Sequence, residues 1–591
     1  MTTNSTVAGA AAPPRPNGGD LVAAVLLRQG VKNLYTLCGG HISPILVGCK
    51  RRGIAIVDVR DEGNAAFAAD AAARLTGVPG VAAVTAGPGV TNTLTALQNA
   101  QMAQVPLVLL GGAAATVLRG RGSLQDIEQM GAIKTFVKWS IAVTRVADLV
   151  PAVERAFAEA LSGVPGPVFV ECPIDLLYDE ALIRDWYIQS GGKQRDLKTR
   201  AMNLYLERHL SKMFGGLSDV RFGPAAVADV PEAPSPLVEA AARMLAKAKR
   251  PVLVVGSQAL CRPLEATAVA ESVRALGAPA FLAGMARGLL GPSDPQQMRH
   301  KRKNAMKEAD LVVLAGVPCD FRMDYGRSIG SRAKIIAVNL EIGTLLRNRV
   351  PTLPVPGDPG RFLQRLAAHP LLRGLTWPEW RATLAARDAE RDAEIVQMAV
   401  EQCPPMNPVA VVQAIEAALD DDAILVADGG DFVATAAYVL RPRKPLTWLD
   451  PGVFGTLGVG GGFALAAATS RPNSLVWLLY GDGAAGFSLM EFDTFVRIGK
   501  GCVAVIGNDA GWTQIARDQV TILGDDVGTV LAPTAYDKVA EGLGGVGIAV
   551  RDLAALPAAL AEPKALARQG KAVLVNCHIG RSEFRKGSIS M

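Results

Sequence analysis

Three doubly wound α/β domains in tandem, each built on a parallel sheet, are the architecture this sequence predicts. The length is the first reason: 591 residues, at roughly 100–200 residues per domain, make about three domains. Composition is the second: half the residues are hydrophobic and a fifth are charged, which suits large cores and excludes wholesale disorder. The third is pattern. Short apolar runs alternate with helical periodicities along nearly the whole chain, and strands separated by helices form βαβ units and therefore parallel sheets.

Residues 1–18 combine Gly, Ala, Pro and Asn without a basic stretch leading into an apolar one, and are expected to be a flexible tail rather than a signal peptide. The first domain is expected over 19–183, with strands at 33–37, 54–59, 81–85, 107–111 and 168–171 and a helix over 64–76. Residues 184–235 are charged, carry several aromatics and end in VADVPEAPSP, which predicts a helical excursion followed by a linker. A second domain is expected over 236–375, with a helix at 236–248 and strands at 251–255, 280–282, 311–314 and 334–338. A charged helical connector spans 376–405. The third domain, 406–591, has strands at 423–427, 475–480, 502–507 and 572–576 and closes in a C-terminal tail.

Several function classes fall away on composition. A net charge of +6 spread over the chain, with no basic stripe interleaved with aromatics, argues against nucleic acid. The eight cysteines are scattered with no C-x-x-C pair, against a zinc site or a disulfide framework and for a reducing compartment. The five histidines are not spaced as metal ligands on one helix. No run of about 20 apolar residues occurs. A cytoplasmic protein without a membrane span is expected.

The sharpest local signal is LVWLLYGDGAAG, residues 475–486, an apolar strand running into Gly481-Asp482-Gly483 ahead of a helix expected over 488–498. This has the form G-x-G-x-x-G, yet a bare carboxylate at Asp482 would repel a pyrophosphate unless a divalent cation lay between them. The next strand ends in Asn508-Asp509-Ala510-Gly511, so neighbouring parallel strands would bring Asp482 and Asp509 to one carboxyl edge, where α/β ligands bind. Two carboxylates, a carbonyl, water and phosphate oxygens suit octahedral Mg²⁺. The alternative is that both aspartates simply cap helices. A second glycine-rich match, GLGGVG at 542–547, falls between helix and strand and reads as a tight turn.

These motifs resemble the thiamine-diphosphate (ThDP) enzyme superfamily, whose signature is GDG followed about 27 residues later by the last residue of an Asn-Asn pair. From Asp482 to Asp509 is 27 residues; the departure is Asp509 in place of the second Asn. The resemblance implies Asp482, Asp509 and the carbonyl of Gly511 as Mg²⁺ ligands. It implies Gly429, Asp431, Gly481, Gly483, Ala484 and Asn508 as cofactor contacts in the third domain. Asp61-Glu62-Gly63 and TAGPGVTN (85–92) look like the pyrimidine-binding domain of acetolactate-synthase-type enzymes. Glu62 would be the catalytic glutamate that hydrogen-bonds the cofactor's pyrimidine, with Pro88 and Asn92 lining its site; alternatively it is only a carboxylate at a helix N-terminus. In GVFGTLGVGGG (452–462), the Gly455 carbonyl would accept from the cofactor amine and Leu457 would wedge beneath the thiazolium ring, or be plain core.

Longer stretches such as LCGGHISPIL, VADGGDF, EFDTFVR and IGRSEFRKGSI resemble the 2-hydroxyacyl-CoA lyase branch of that superfamily, over essentially residues 19–591. The resemblance implies cleavage of a 2-hydroxyacyl-CoA to formyl-CoA and an aldehyde, or the reverse acyloin condensation. The electrons of the broken C–C bond need a sink, which the thiazolium supplies. His41 is the candidate for moving the hydroxyl proton, because an imidazole can do so near neutral pH; a purely structural histidine is the alternative. Gln125 matches a substrate-facing position. For the CoA phosphates, Arg581 and Arg585 in the tail and the run Arg299–Lys303 (RHKRK) are candidates, although a charge run is usually a solvated face. The family's half-sites meet between subunits, implying a homodimer or homotetramer. Competing readings are acetolactate synthase or another 2-oxoacid carboligase, and a nucleotide-binding regulator without catalysis.

Overall fold

A computed structural model describes residues 17–191 and 197–586. It contains three six-stranded sheets, every strand pair parallel. In spatial order the first runs Ala55–Asp58, Asn33–Thr36, Gly80–Val84, Leu107–Ala113, Pro167–Pro173 and Trp139–Ala142. The second runs Leu353–Pro356, Lys334–Asn339, Leu311–Ala315, Pro251–Val255, Ala280–Leu282 and Gln297–Met298. The third runs Trp448–Leu449, Ile424–Asp428, Val476–Gly481, Cys502–Asn508, Ala572–His578 and Val546–Val550. Numbered along the chain within each sheet, the first and third share the order 2-1-3-4-6-5, whereas the second is 3-2-1-4-5-6.

The central strands form where the sequence carries unbroken apolar runs. Gly80–Val84, Leu107–Ala113, Pro251–Val255 and Cys502–Asn508 are buried at every residue, as expected of a parallel sheet covered on both faces. The strands that pattern reading misses lie at sheet edges. Trp139–Ala142 is half-exposed throughout, and Gln297–Met298 and Trp448–Leu449 are two residues each. Such strands have no apolar run to betray them. GLGGVG turns from helix Tyr536–Gly542 into Val546–Val550, as the sequence predicts.

One helix departs from expectation. The helix after GDG starts at Asp482, not Ser488, and runs to Ser488; a second helix, Glu491–Arg497, follows after a break. Glycines hide the helical period here. The excursion holds helices Glu180–Gly191 and Leu197–Phe214, then a largely irregular passage to helix Ser235–Ala246. The connector is a single helix, Pro378–Val400. Helix 18–28 begins with Asn17 as N-cap, its side chain accepting from Asp20 N, so the first domain starts slightly before residue 19. Residues 1–16 of the expected tail, and 587–591 of the C-terminus, lie outside the described residues. Among the described residues no helix is long and apolar enough to cross a membrane, and all eight cysteines are free thiols.

The first and third domains are joined by helices Glu62–Thr76 and Val459–Ser470, packed face to face. Both are rich in small residues, which allows close approach. A Cβ on Gly462 would stand 2.7 Å from the Asn64 carbonyl oxygen and 2.8 Å from Phe67 Cβ. Phe67 and Phe463 meet edge to face at 6.2 Å. The buried Arg74 grips Asp70 through two bonds of 2.6 and 2.9 Å and donates to the Asp450 carbonyl of the third domain at 3.0 Å. Asn99 donates to the same Asp70 at 2.8 Å, so the buried pair is satisfied on several sides.

Candidate functional site

The first domain gathers its candidates at the carboxyl ends of its strands. Asp61 caps helix Glu62–Thr76, accepting from Asn64 N at 3.3 Å, which fixes Glu62 at the first helical position. Glu62 is 7% exposed, and its Oε2 accepts from Asn92 Nδ2 at 3.0 Å. Pro88 opens the short helix that ends beside Asn92. A Cβ on Gly89 would lie 2.8 Å from Thr85 Cγ2 and 3.6 Å from Glu62 Oε1, so these loops are in contact.

Thr85 links the remaining candidates. His41 Nδ1 and Thr85 Oγ1 are 3.0 Å apart, and Thr85 Oγ1 lies 3.5 Å from Gln125 Oε1, a long contact for a hydroxyl donor. With the hydroxyl proton directed at Gln125, Nδ1 of His41 donates and Nε2 is left as the basic nitrogen. Burial holds the His41 imidazole below its ordinary pKa, which favours the neutral base. Gln125 has φ +61°, and its carbonyl lies within 2.6 Å of where a Cβ on Gly87 would stand. Gln129 fixes the surrounding loops, accepting from Gly87 N at 3.2 Å and donating to the Gly112 carbonyl at 2.9 Å.

The third domain assembles the complementary set at the same edge of its own sheet. Strands Val476–Gly481 and Cys502–Asn508 are neighbours, which brings Asp482 and Asp509 together. Asp482 is buried; its Oδ1 accepts from Gly483 N at 2.8 Å and its Oδ2 from Gly511 N at 3.0 Å. Burial pushes its carboxyl up. Burial also pushes Asp509 up, to about 6, with the charges of Asp482 and Asp431 adding and Thr513 and Arg581 opposing. Neighbouring carboxylates raised in this way are relieved by a cation. Among the described residues no three His, Cys, Asp or Glu side chains converge on a metal, so an ion here would complete its shell with main-chain, water or ligand oxygens.

The cradle fits a phosphorylated cofactor on two further observations. Asn508 Oδ1 is buried without a partner among the described residues, while its Nδ2 donates to Thr534 O and Asn576 Oδ1. Gly429, at φ +148°, approaches so closely that a Cβ there would lie 2.6 Å from Gly481 N. Ala484 is buried one position after Gly483, whose own Cβ would strike the Trp512 ring at 2.4 Å. Asp431 pairs with Arg517 at 2.7 Å. Gly455, at φ +67°, is exposed, and Leu457 is half-buried against the core where the domains meet.

Three further polar positions at the site escape the sequence reading. Thr85 stands inside the quoted TAGPG and is signalled only by its neighbours. Asp428 precedes Gly429; it is fully buried, accepts from Gly458 N and Gly460 N, and is pushed up to about 7 by burial. Glu491, buried and likewise pushed up to about 7, reaches into the first domain. Its Oε1 accepts from Arg60 N at 3.0 Å and Asn64 Nδ2 at 3.1 Å, and Oε2 accepts from Thr494 Oγ1 at 2.6 Å. Arg497, on the same helix, donates to the Asp58 carbonyl at 2.6 Å. One face of the third domain therefore grips the turn that presents Glu62.

The two tail arginines part company. Arg581 lies against Gly511, its guanidinium 2.7 Å from the position of a Cβ there, and its charge acts on Asp509. Arg585 instead stacks over the Tyr438 ring at 4.9 Å, beside the RHKRK segment.

Comparison with known proteins adds three family matches. The N-terminal TPP binding domain of thiamine pyrophosphate enzymes matches residues 16–132, the central domain 238–366, and the C-terminal TPP binding domain 428–577. The chain is 47% identical over 583 residues to 2-hydroxyacyl-CoA lyase 2 of Danio rerio, covering 97% of this chain and 93% of that protein. The Homo sapiens 2-hydroxyacyl-CoA lyase 2 is also 47% identical, over 97% and 92%. An acetolactate synthase large subunit of Mycobacterium tuberculosis is 34% identical over 92% of each chain.

Proposed function

Because the chain belongs to the thiamine pyrophosphate enzyme family, we propose that it is a ThDP-dependent carbon–carbon lyase that cleaves 2-hydroxyacyl-CoA to formyl-CoA and an aldehyde, and catalyses the reverse condensation. The observation that carries the substrate is the identity of 47% over 97% of the chain to proteins of that name, against 34% over 92% to an acetolactate synthase. Bound in the cradle, ThDP supplies the electron sink that C–C cleavage beside a carbonyl requires.

The chain's own residues do the rest. Asp482, Asp509 and a main-chain oxygen near Gly511 would hold Mg²⁺ against the diphosphate. Asn508, Gly429, Gly481 and Ala484 line the same recess, and Arg581 offsets the charge that Asp509 adds. Glu62, held by Asn92, holds the proton exchanged with the pyrimidine ring. His41, neutral and oriented by Thr85, accepts the proton of the substrate 2-hydroxyl, and Gln125 orients the thioester carbonyl.

Glu62 and Asn64 are two positions apart, roughly 200° around a helix of 3.6 residues per turn. Asn64 faces its own third domain, so Glu62 faces away from it. This supports a site shared between subunits, in a homodimer or larger assembly.

The test is turnover with purified protein. Release of formyl-CoA from a 2-hydroxyacyl-CoA, dependent on ThDP and Mg²⁺ and lost in Glu62→Gln, is expected. Turnover of pyruvate to acetolactate without thioester cleavage would move the chain to the carboligase reading. Activity retained in Glu62→Gln would overturn the assignment of that carboxylate.

A further inference from the structure

Between the second and third domains lies a cavity of about 410 Å³, within the range of small-molecule sites. Six cationic side chains line it, Arg287, Arg299, Lys301, Arg302, Lys303 and Arg322, against a single carboxylate, Asp324. Such an imbalance in a recess is costly unless an anion enters.

Some of these cations are spoken for. Arg322 forms a fork with Asp320 at 2.6 to 3.2 Å, Lys301 pairs with Glu390 and Lys303 with Asp324. Three are not. Arg287 donates to the Ala437 carbonyl at 2.8 Å and stacks over the Trp448 ring at 5.2 Å, Arg302 donates to the Arg322 carbonyl at 2.8 Å, and Arg299 to the carbonyls of Tyr438, Val439 and Leu440. Among the described residues no carboxylate is in ion-pair contact with these three guanidiniums. Arg287 Nε and His300 Nδ1 are buried without partners among those residues. Burial, then the neighbouring guanidinium charge, draws Arg302 below its ordinary pKa, and burial does the same to Arg287.

The cavity also has aromatic walls. Tyr438 and Phe321 line it, 44% and 51% exposed, while His300 stacks on Tyr438 at 6.3 Å. A cationic recess with exposed ring faces is suited to phosphates attached to a purine. Its position is suited to a substrate handle. Helix Asp431–Val439 begins at the cofactor recess and ends at Ala437 and Tyr438 in the cavity wall. At 1.5 Å per residue the separation is on the order of 10 Å, a gap for a flexible arm to bridge.

We infer that this cavity is where the adenosine phosphate end of the acyl-CoA docks, with Arg287 and Arg302 on its phosphates and Phe321 against its base. The inference rests on the CoA thioester reading above and adds residues to it. Arg585, stacked on Tyr438, closes the rim; Arg581, at the metal edge, stands apart.

The experiment measures binding of free coenzyme A and of ADP to the holoenzyme by calorimetry, beside steady-state kinetics, for wild type, Arg302→Gln and Arg287→Gln. Loss of one charge-assisted contact is expected to weaken coenzyme A binding and raise KM for the acyl-CoA by about 10- to 100-fold, with kcat and bound ThDP unchanged. ADP is expected to compete with the acyl-CoA. Lys303→Gln at the exposed rim, with a smaller rise in KM, keeps the test intact should an arginine variant fail to fold. Variants that bind coenzyme A as wild type does, while wild type turns over the thioester, would overturn this docking site alone. ADP that alters kcat without competing would overturn it in favour of a regulatory nucleotide. A wild-type protein that neither binds coenzyme A nor cleaves the thioester would remove both readings.

Discussion

The first and third domains have the same strand order, 2-1-3-4-6-5, and opposite chemistry. After strand 1 the first domain carries His41 and the third Gly429 and Asp431. After strand 2 the first carries Glu62 and the third the Gly452–Leu457 loop. Strand 3 leads to Thr85–Asn92 in one and Asp482 in the other; strand 4 leads to Gln125 in one and Asp509 in the other. In the proposed function, one half supplies groups that hold and move protons, and the other carboxylates for a cation and a glycine cradle for phosphates. The fold fixes where side chains converge, at the strand ends beside the reversal of order, and leaves open what they do. Even the two helices that join the halves occupy equivalent places. One begins with a carboxylate, the other with glycines.

The strongest way to break this comparison is to damage one half at a time. Glu62→Gln is expected to lower lyase activity by at least about 10²-fold, the scale of a lost proton-transfer group, and Asp482→Asn is expected to lower it through lost retention of Mg²⁺ and ThDP. Co-expressed with different tags and purified as a mixed dimer, the two variants restore one intact site out of two. Activity of the mixed species near half that of wild type is the expected result. A mixed species as inactive as its parents would mean that both halves of a site come from one chain.

The next largest effect lies where the halves touch within a chain. The Glu491 carboxyl rises from an ordinary 4.5 to about 7 on burial, so the folded protein binds the extra proton between those values. Stability is therefore greatest below pH 4.5 for this group and falls as pH rises to about 7, by on the order of 3 kcal/mol. Glu491→Gln mimics the protonated form and keeps the acceptor for Arg60 N and Asn64. The difference in Tm between wild type and Glu491→Gln is expected to widen from pH 4.5 to 7 and then level off. A constant difference over that range would refute the buried-proton account. Glu491→Ala is expected to lose activity through Glu62, because the turn that presents it loses its grip.

These residues mark how far the sequence can be read. Asp482, Asp509, Glu62 and the Gly429 turn are legible because each stands at the end of an apolar strand, where strand order delivers it to the carboxyl edge of its own sheet. Thr85 and Asp428 sit at the same strand ends but look like filler, since their roles are hydrogen bonds to loops far off in the chain. Glu491 is harder still: its partners, Arg60 and Asn64, are more than 400 positions away, with separations of 431 and 427. The edge strands that escape the sequence are short, four residues at Trp139–Ala142 and two each at Gln297–Met298 and Trp448–Leu449, too few to show a strand pattern. The RHKRK run, a CoA-phosphate candidate with a solvated face as the alternative, is the converse case. It is not a solvated face, because Arg299 caps the helix that ends at Val439 and Arg302 lines the interdomain cavity.

The helix contact gives a smaller effect. Gly462→Ala places a methyl 2.7 Å from the Asn64 carbonyl and 2.8 Å from Phe67 Cβ. Main chain on one side and a packed ring stem on the other leave it nowhere to go, and a loss of roughly 1–3 kcal/mol is expected in urea unfolding. The substitution pushes the two helices apart where Asn64 meets Glu491, so kcat should fall with stability. An unchanged midpoint would show that the helices slide past one another freely.

The smallest effect discriminates between the two kinds of half-site. Thr85→Val keeps shape and removes one hydroxyl, with its contacts to His41 at 3.0 Å and Gln125 at 3.5 Å. A net hydrogen bond contributes roughly 0.5–1.5 kcal/mol, so kcat should fall between about 2- and 12-fold, without a change in KM for the thioester or in ThDP content. That pattern follows only if strand 3 of the first domain orients groups that move protons, whereas loss of cofactor is the outcome expected at the corresponding end of the third domain, Asp482. A rise in the dissociation constant of ThDP with kcat intact would place Thr85 on the binding side and erase the division of labour between the two sheets.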